Sequence, residues 1–338
     1  MSSLSEAIIH LAIDLFHQIR KSEKENIFLS PFSISSALAM TYLGARENTA
    51  SEMQKVLHFN KIAENTRGGA AKEHVEKPGN VHQHFQKLLT ELKKSTDAYE
   101  LSVANRLYGE KEFRFLQEYM DNVQKFYLAS VESADFKNAA EESRKMINSW
   151  VESQTNGKIK ELFPKDSLDS STVLVLVNAV YFKGQWNQKF KEEHTAEEKF
   201  WLNKLEDQLT AEKLIAWTSP QNMGKREVDL YLPRFKVEES YDLVPTLRAL
   251  GMVDAFIFRV ANFSGMNGSR DLAVSKVFHK SFVEVTEEGT EAAAATGVVI
   301  MSSHHSIRES FRCDHPFLFL IKHIKTNSIL FCGRVSSP

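Results

Sequence analysis

The opening residues, MSSLSEAIIHLAIDLFHQIRKSEKEN, place Ile8, Ala12, Leu15, Phe16 and Ile19 at the spacing of one helix face, with Glu6, His10 and Asp14 set among them. Ser30-Pro31 then reads as a helix cap followed by a first-turn proline; the helix runs on through Ala37 to Leu43 and Gly44 stops it. A polar stretch with Gly68-Gly69 and Pro78-Gly79 predicts a mobile interhelical loop over about 60–82. Helical spacing returns at Phe85, Leu88, Leu89 and Leu92, and again at Met146, Ile147, Trp150 and Val151. After that the period changes. VLVLVNAVYF, Val173 to Phe182, is apolar on both faces apart from Asn178, as expected of a strand in the middle of a covered sheet. LYLPRFKVEESYDL alternates from Leu230, Phe282 to Val285 reads as a strand, and FLFLIKHIKTNSILFCGRV reads as two strands joined by a turn at Lys325-Thr326-Asn327. Helices followed by strands predict an α+β fold, and no internal repeat divides the chain.

Composition narrows the functional classes. The chain has 338 residues, 42% hydrophobic and 25% charged, which is ordinary globular content with room for a large core. A formal charge of −2 leaves no basic surplus for a nucleic-acid partner. The polar residues inside the first helix break the apolar centre that a signal peptide requires, and no run of 18 apolar residues predicts a membrane span. Cys313 and Cys332 are too few for a disulfide scaffold and suit a reducing compartment. The expectation is a cytoplasmic protein, with release outside the cell by a leaderless route as a further possibility.

Catalytic patterns are absent. The sequence holds no GxSxG, HExxH, GxxxxGK[ST] or CxxC, and no GxGxxG ahead of a helix. His304-His305 beside Ser302-Ser303 lacks a carboxylate placed to orient the imidazole, so it does not make an activated serine. The histidines show no metal-ligand spacing, and neither a metal nor a cofactor is expected.

Five segments together resemble one family. Asn26 to Met53, Leu176 to Trp186, Leu232 to Phe256, Phe278 to Thr296 and Asp314 to Pro338 are similar to the serpins, in the family's order and over nearly the whole chain. The resemblance is strongest to the intracellular ovalbumin-like branch, and within it to the squamous cell carcinoma antigens. It implies a single domain over 1–338, with helices packed on three β-sheets and a reactive loop over about 289–311. It also implies that the protein is not an enzyme but a suicide-substrate inhibitor of serine or cysteine endopeptidases, cathepsin-like or chymotrypsin-like, working as a monomer without a membrane partner. The alternatives are a non-inhibitory binding protein or a misfolded shortened form.

The loop itself has a physical reading. A segment that enters a sheet as a new central strand must be small and must carry no charge on its buried side. Read with period two, Thr290, Ala292, Ala294, Thr296, Val298 and Ile300 fall on one uncharged face, whereas Glu291, Ala293, Ala295 and Val299 fall on the other. Glu287 and Glu288 precede Gly289, which supplies hinge freedom. About twelve residues joining a ladder at ~0.5–1.5 kcal/mol per hydrogen bond release on the order of 6–18 kcal/mol, comparable with a domain's whole stability. The resemblance implies attack at Ser303-His304 when counted from Gly289, or at Ser302-Ser303 when counted back from Phe311. It also implies that Ser30, Ser33, Asn178 and His315 form the polar cluster under the sheet where its strands part, and that Lys183, Gly184 and Trp186 mark the end where insertion begins.

One departure stands out. After Lys204 the chain passes directly to a helical pattern beginning at Leu205, where serpins carry several strands of the second and third sheets. Two buried strands of about 5–6 residues would remove about ten apolar side chains, roughly 15–30 kcal/mol of burial. The expectation from sequence is a chain that aggregates or stays molten, with Phe317 to Ile321 and Ile329 to Val335 losing sheet neighbours and nothing gained when the loop is cut.

Overall fold

The computed structural model describes residues 2–23, 25–60, 62, 79–94, 96–201, 209–224, 226–289 and 309–338. Helix α1 (Ser3–Ile19) is capped by the Ser2 hydroxyl, which accepts from the Ser5 N–H, and its apolar stripe is buried. Strand β1 (Ile27–Leu29) leads to α2 (Pro31–Gly44), where Ser30 caps the helix as its sequence signal predicts. α2 is buried nearly all round, so it forms the centre of the molecule. α3 (Glu47–Val56) and α4 (Gly79–Leu92) follow. Residues 79–82, expected to lie in the interhelical loop, are thus the start of α4.

Then come β2 (Tyr99–Glu110), α5 (Gln117–Tyr127), β3 (Ser130–Ala134), α6 (Phe136–Gln154) and β4 (Leu174–Gly184). α7 (Ala211–Trp217) precedes β5 (Val228–Tyr231) and β6 (Phe235–Asp242). The alternating run from Leu230 is thus two strands in different sheets, divided at Leu232-Pro233-Arg234 because Pro233 cannot donate to a ladder. Short helices α8 (Val244–Ala249) and α9 (Ser264–Asn267) lead to β7 (Lys276–Val285). β8 (Glu309–Arg312), β9 (Phe317–His323) and β10 (Ser328–Val335) end the chain. β8 begins at Glu309, so residues 309–311, expected in the reactive loop, are strand.

The largest sheet has the order β3-β2-β4-β7-β6. β4 is its middle strand, antiparallel to β2 and parallel to β7. Leu174, Leu176 and Val180 pack on one face into the core shared with α1 and α2. Val175, Val177, Ala179 and Tyr181 pack on the other with Ile147 and Val151 of α6. Both faces are covered, which explains the unbroken apolar run.

A second sheet has the order β1-β10-β9, and a third pairs β5 with β8. β10 lies between two neighbours and is buried along its whole length, contrary to the expectation that Ile329 to Val335 lose theirs. The deficit falls on β9, whose outer edge has no strand beside it among the described residues. Within the second sheet Phe28 stacks on Phe331 at 5.2 Å and on Phe319 at 5.7 Å between ring centroids.

Candidate functional site

β4 and β7 run side by side in the same direction, in register from Val175↔Lys276 to Tyr181↔Phe282. Parallel pairs need a crossover, and this one spans the chain between residues 184 and 276, so the two strands are neighbours in space but remote in sequence. Separating them breaks only ladder hydrogen bonds and side-chain contacts, not a turn.

A buried polar cluster sits at the middle of this seam. Asn178 on β4 faces His279 on β7, and its Oδ1 accepts from His279 Nδ1. On the other side of the ring, Nε2 accepts from the Ser30 N–H at 3.1 Å. A backbone N–H can only donate, which fixes the proton on Nδ1 and leaves the imidazole neutral. Burial agrees with this, pushing the His279 pKa down to about 3. The Asn178 amide donates to Ser33 Oγ at 2.5 Å, to the Ser33 carbonyl at 3.2 Å and to Asn105 Oδ1 on β2. The Ser30 hydroxyl donates to the Leu330 carbonyl at 2.6 Å, tying the cluster to β10, and accepts from the Ser33 N–H.

Three of the four residues expected here, Ser30, Ser33 and Asn178, therefore meet. His315 does not. It lies partly exposed before β9 and is paired with Asp314 at 2.9 Å. The histidine of the cluster is His279. Its signal was present in the sequence: a single imidazole in VFHKSF, among residues whose neighbours Val277, Phe278, Phe282 and Val283 are all apolar, marks a buried strand position that needs a partner.

The upper end of the seam is where the chain leaves β7. Thr286 and Gly289 close a turn, with the Thr286 N–H donating to the Gly289 carbonyl at 3.0 Å and the Gly289 N–H to the Thr286 carbonyl at 3.2 Å. Gly289 also forms an antiparallel bridge with Gln185, just past the end of β4. Its φ of +107° suits glycine alone, and a Cβ there would stand 2.5 Å from the Gly184 carbonyl oxygen. Gly184 and Trp186 are both part of this junction: the Trp186 indole N–H donates to the Thr286 carbonyl at 2.9 Å and its backbone N–H to the Glu288 carbonyl at 3.3 Å. Lys183 lies on the last turn of β4 opposite Glu100 of β2.

The Glu287 carboxylate was legible only as a hinge residue, yet it is buried. Its Oε1 accepts from the Thr195 hydroxyl at 2.7 Å and its Oε2 lies 3.5 Å from Arg234 Nε, while the Phe190 N–H donates to its backbone carbonyl at 2.9 Å. The Thr195 hydroxyl, and after it the backbone N–H and Arg234, hold this carboxyl below the usual range. Thr290 to Thr296 (Thr290, Glu291, Ala292, Ala293, Ala294, Ala295, Thr296), both candidate bonds at Ser302, Ser303 and His304, and the junction at Lys204-Leu205 lie outside the described residues.

Comparison with known proteins decides the family. The profile described as "Serpin (serine protease inhibitor)" matches residues 6–206 and 202–338. The chain is a serpin. Human Serpin B3 is 56% identical and human Serpin B4 55% identical to it, each alignment covering all of both chains. The solved structure of uncleaved ovalbumin superposes with a TM-score of 0.86 at 34% identity, again covering 100% of each chain. The family thus explains the three sheets and the parallel seam. The two profile matches meet at 202–206, and the alignment to Serpin B3 runs over 391 positions against the 338 residues of this serpin. The relatives carry a stretch that this chain lacks.

Proposed function

We propose that this serpin inhibits endopeptidases as a suicide substrate, with residues that follow Gly289 entering the seam between β4 and β7 as a new strand. The observation that carries the reading is the position of Gly289. It bridges Thr286 on one side and Gln185 on the other, both antiparallel, the arrangement from which a strand inserted between two parallel neighbours would start. The sequence from Thr290 to Ile300 offers the uncharged alternating face that such a strand requires.

In this reading a protease nucleophile attacks the carbonyl carbon of Ser303, or of Ser302, and forms an acyl bond. The new amino terminus at His304, or at Ser303, departs. The acylated loop then zips into the seam before water reaches the ester or thioester. Asn178, His279, Ser30 and Ser33 hold the seam closed until that moment, and Glu287 with Gly289 positions the hinge. Met301 and small serines at the attacked bond suit cathepsin-type or chymotrypsin-type serine or cysteine proteases better than trypsin-type ones. The protein acts in the cytoplasm; among the described residues no helix is long and apolar enough to cross a membrane. The whole of 1–338 works as one domain.

A second reading, a serpin-like binding protein that does not inhibit, is favoured by the absent stretch and the bare edge of β9. Incubation with a panel of cathepsin-type serine and cysteine proteases, followed by denaturing electrophoresis, separates the two. Inhibition predicts a complex that survives denaturant at the summed mass. Cleaved serpin with fully active protease supports the second reading.

A further inference from the structure

The outer edge of β9 marks an interaction surface. β9 ends the second sheet, and among the described residues only its inner edge is paired, to β10, from Phe317↔Val335 to His323↔Ser328. The relatives' extra stretch would leave this chain close by: the Trp201 N–H donates to the Asp314 carbonyl at 2.7 Å, three residues before β9 begins. The cover of β9 therefore belongs to what this chain lacks. An edge strand offers a row of outward N–H and C=O groups that only another extended segment satisfies in full. Among the described residues the usual guards are missing. Pro316 precedes the strand instead of interrupting it, and the Lys322 ammonium is turned to the Thr218 carbonyl at 2.9 Å.

We infer that this edge pairs with β9 of a second copy, antiparallel and about a two-fold axis near Leu320. The strand's own charges specify that partner. Asp314 lies at its start, 38% exposed and paired with His315 at 2.9 Å, and Lys325 lies just past its end, 68% exposed and paired with Glu91 at 2.5 Å. Antiparallel pairing about Leu320 sets Asp314 of each copy against the Lys325-Thr326 end of the other, twice by symmetry, whereas parallel pairing would set like against like. The apolar positions agree with the same register. Phe319 falls opposite Ile321, continuing the core-facing row from one copy into the next. Pro316 falls opposite Ile324, which is 88% exposed in the single chain, and Leu318, 38% exposed, falls opposite the alkyl stem of Lys322. The three-stranded sheet becomes one continuous sheet across two copies. The proposed dimer lies on the edge of the second sheet opposite β1 and departs from the monomer that the family resemblance implies.

The test uses the full chain. Sedimentation velocity over a concentration series is expected to show a monomer–dimer equilibrium. Asp314→Lys alone and Lys325→Asp alone each place like charges together and are expected to weaken the dimer by about tenfold or more. An equimolar mixture of the two variants places opposite charges together again and is expected to restore dimerisation, an outcome that no purely structural role of either residue produces. Hydrogen exchange on the unmodified chain supplies the second measurement, should either variant fail to fold: amides within Leu318–Lys322 are expected to become protected as concentration rises. A chain that stays monomeric, a mixture of folded variants that does not associate, or a dimer whose β9 amides exchange as in the monomer would each overturn the proposal.

Discussion

Asn178 and His279 are cross-strand partners on β4 and β7, and the hydrogen bond between their side chains spans the seam of the large sheet whose strands are farthest apart in sequence. Both are buried, so neither can turn to water when the other is lost. Asn178→Ala orphans the His279 Nδ1–H and the acceptors Ser33 Oγ and Asn105 Oδ1. A loss of about 1–3 kcal/mol in urea unfolding is expected. A variant as stable as the parent would show that the cluster does not hold the seam.

The pH dependence of stability follows from buried histidines. Burial lowers the pKa of His279 to about 3 and that of His82 to about 4. The unfolded chain therefore binds protons that the folded chain refuses: stability is fully present above pH 6.5 and falls as pH drops toward the folded values. Glu239 acts in the opposite sense. Burial first, then Glu23, Glu25 and Glu238, raises its pKa to about 7, so its contribution is present below the unfolded carboxyl value and lost as pH rises through 7. The histidines, with His323 lowered by burial in the same sense, outweigh the solvent-screened Glu239 and leave a net rise of stability with pH, on the order of 1 kcal/mol per unit between pH 5 and 6. His279→Gln should lower that slope by about the same amount, read from urea midpoints across the range. An unchanged slope would mean that His279 is charged in the folded chain.

Glu287 ties the hinge to Thr195 and Arg234. Glu287→Gln keeps the shape but weakens both contacts, and about 1 kcal/mol of stability is expected to go. The more specific outcome is kinetic. A synthetic peptide of residues 290–300 should enter the sheet of the variant faster than that of the parent, followed by native electrophoresis. Equal uptake would place the gate elsewhere.

Thr290 lies outside the described residues, and its role rests on the alternation of the loop. Thr290→Arg puts a guanidinium on the face that must be buried, which slows insertion past hydrolysis of the acyl bond. The variant should be cleaved as a substrate with little stable complex; complex formation at the parent's stoichiometry would refute the two-face reading.

Much of this was legible because local signals carried it. The Ser30-Pro31 cap, the two-faced apolar run of β4 and the turn at Lys325-Thr326-Asn327 each gave an element in the right place. β2 was not legible, since Tyr99–Glu110 mixes charged, polar and apolar residues and only its place between β3 and β4 explains them. His279 and Glu287 were missed as buried groups for a related reason. Their partners, Ser30, Asn178, Thr195 and Arg234, are far away in sequence, and no spacing rule brings them together. His315 drew attention within a family-like segment, but Pro316 ends its strand neighbourhood and leaves it beside Asp314.

The sequence also suggested that the absent stretch would cost the whole fold. The structure confines the deficit. All five strands of the large sheet are paired and β10 keeps both neighbours, so the loss is concentrated at the edge of β9. The large sheet that a new strand would enter is therefore fully paired among the described residues, and the melting experiment tests the molten chain expected from apolar bookkeeping.

The thermal unfolding of intact protein against protein cut once within residues 301–304 tests this most directly. If residues after Gly289 enter the seam between β4 and β7, the cut chain gains a central strand, and its melting temperature should rise well above that of the intact chain, with a single cooperative transition in both. A cut chain that melts at the same temperature or lower would contradict insertion and leave the protein a serpin that does not work as a trap.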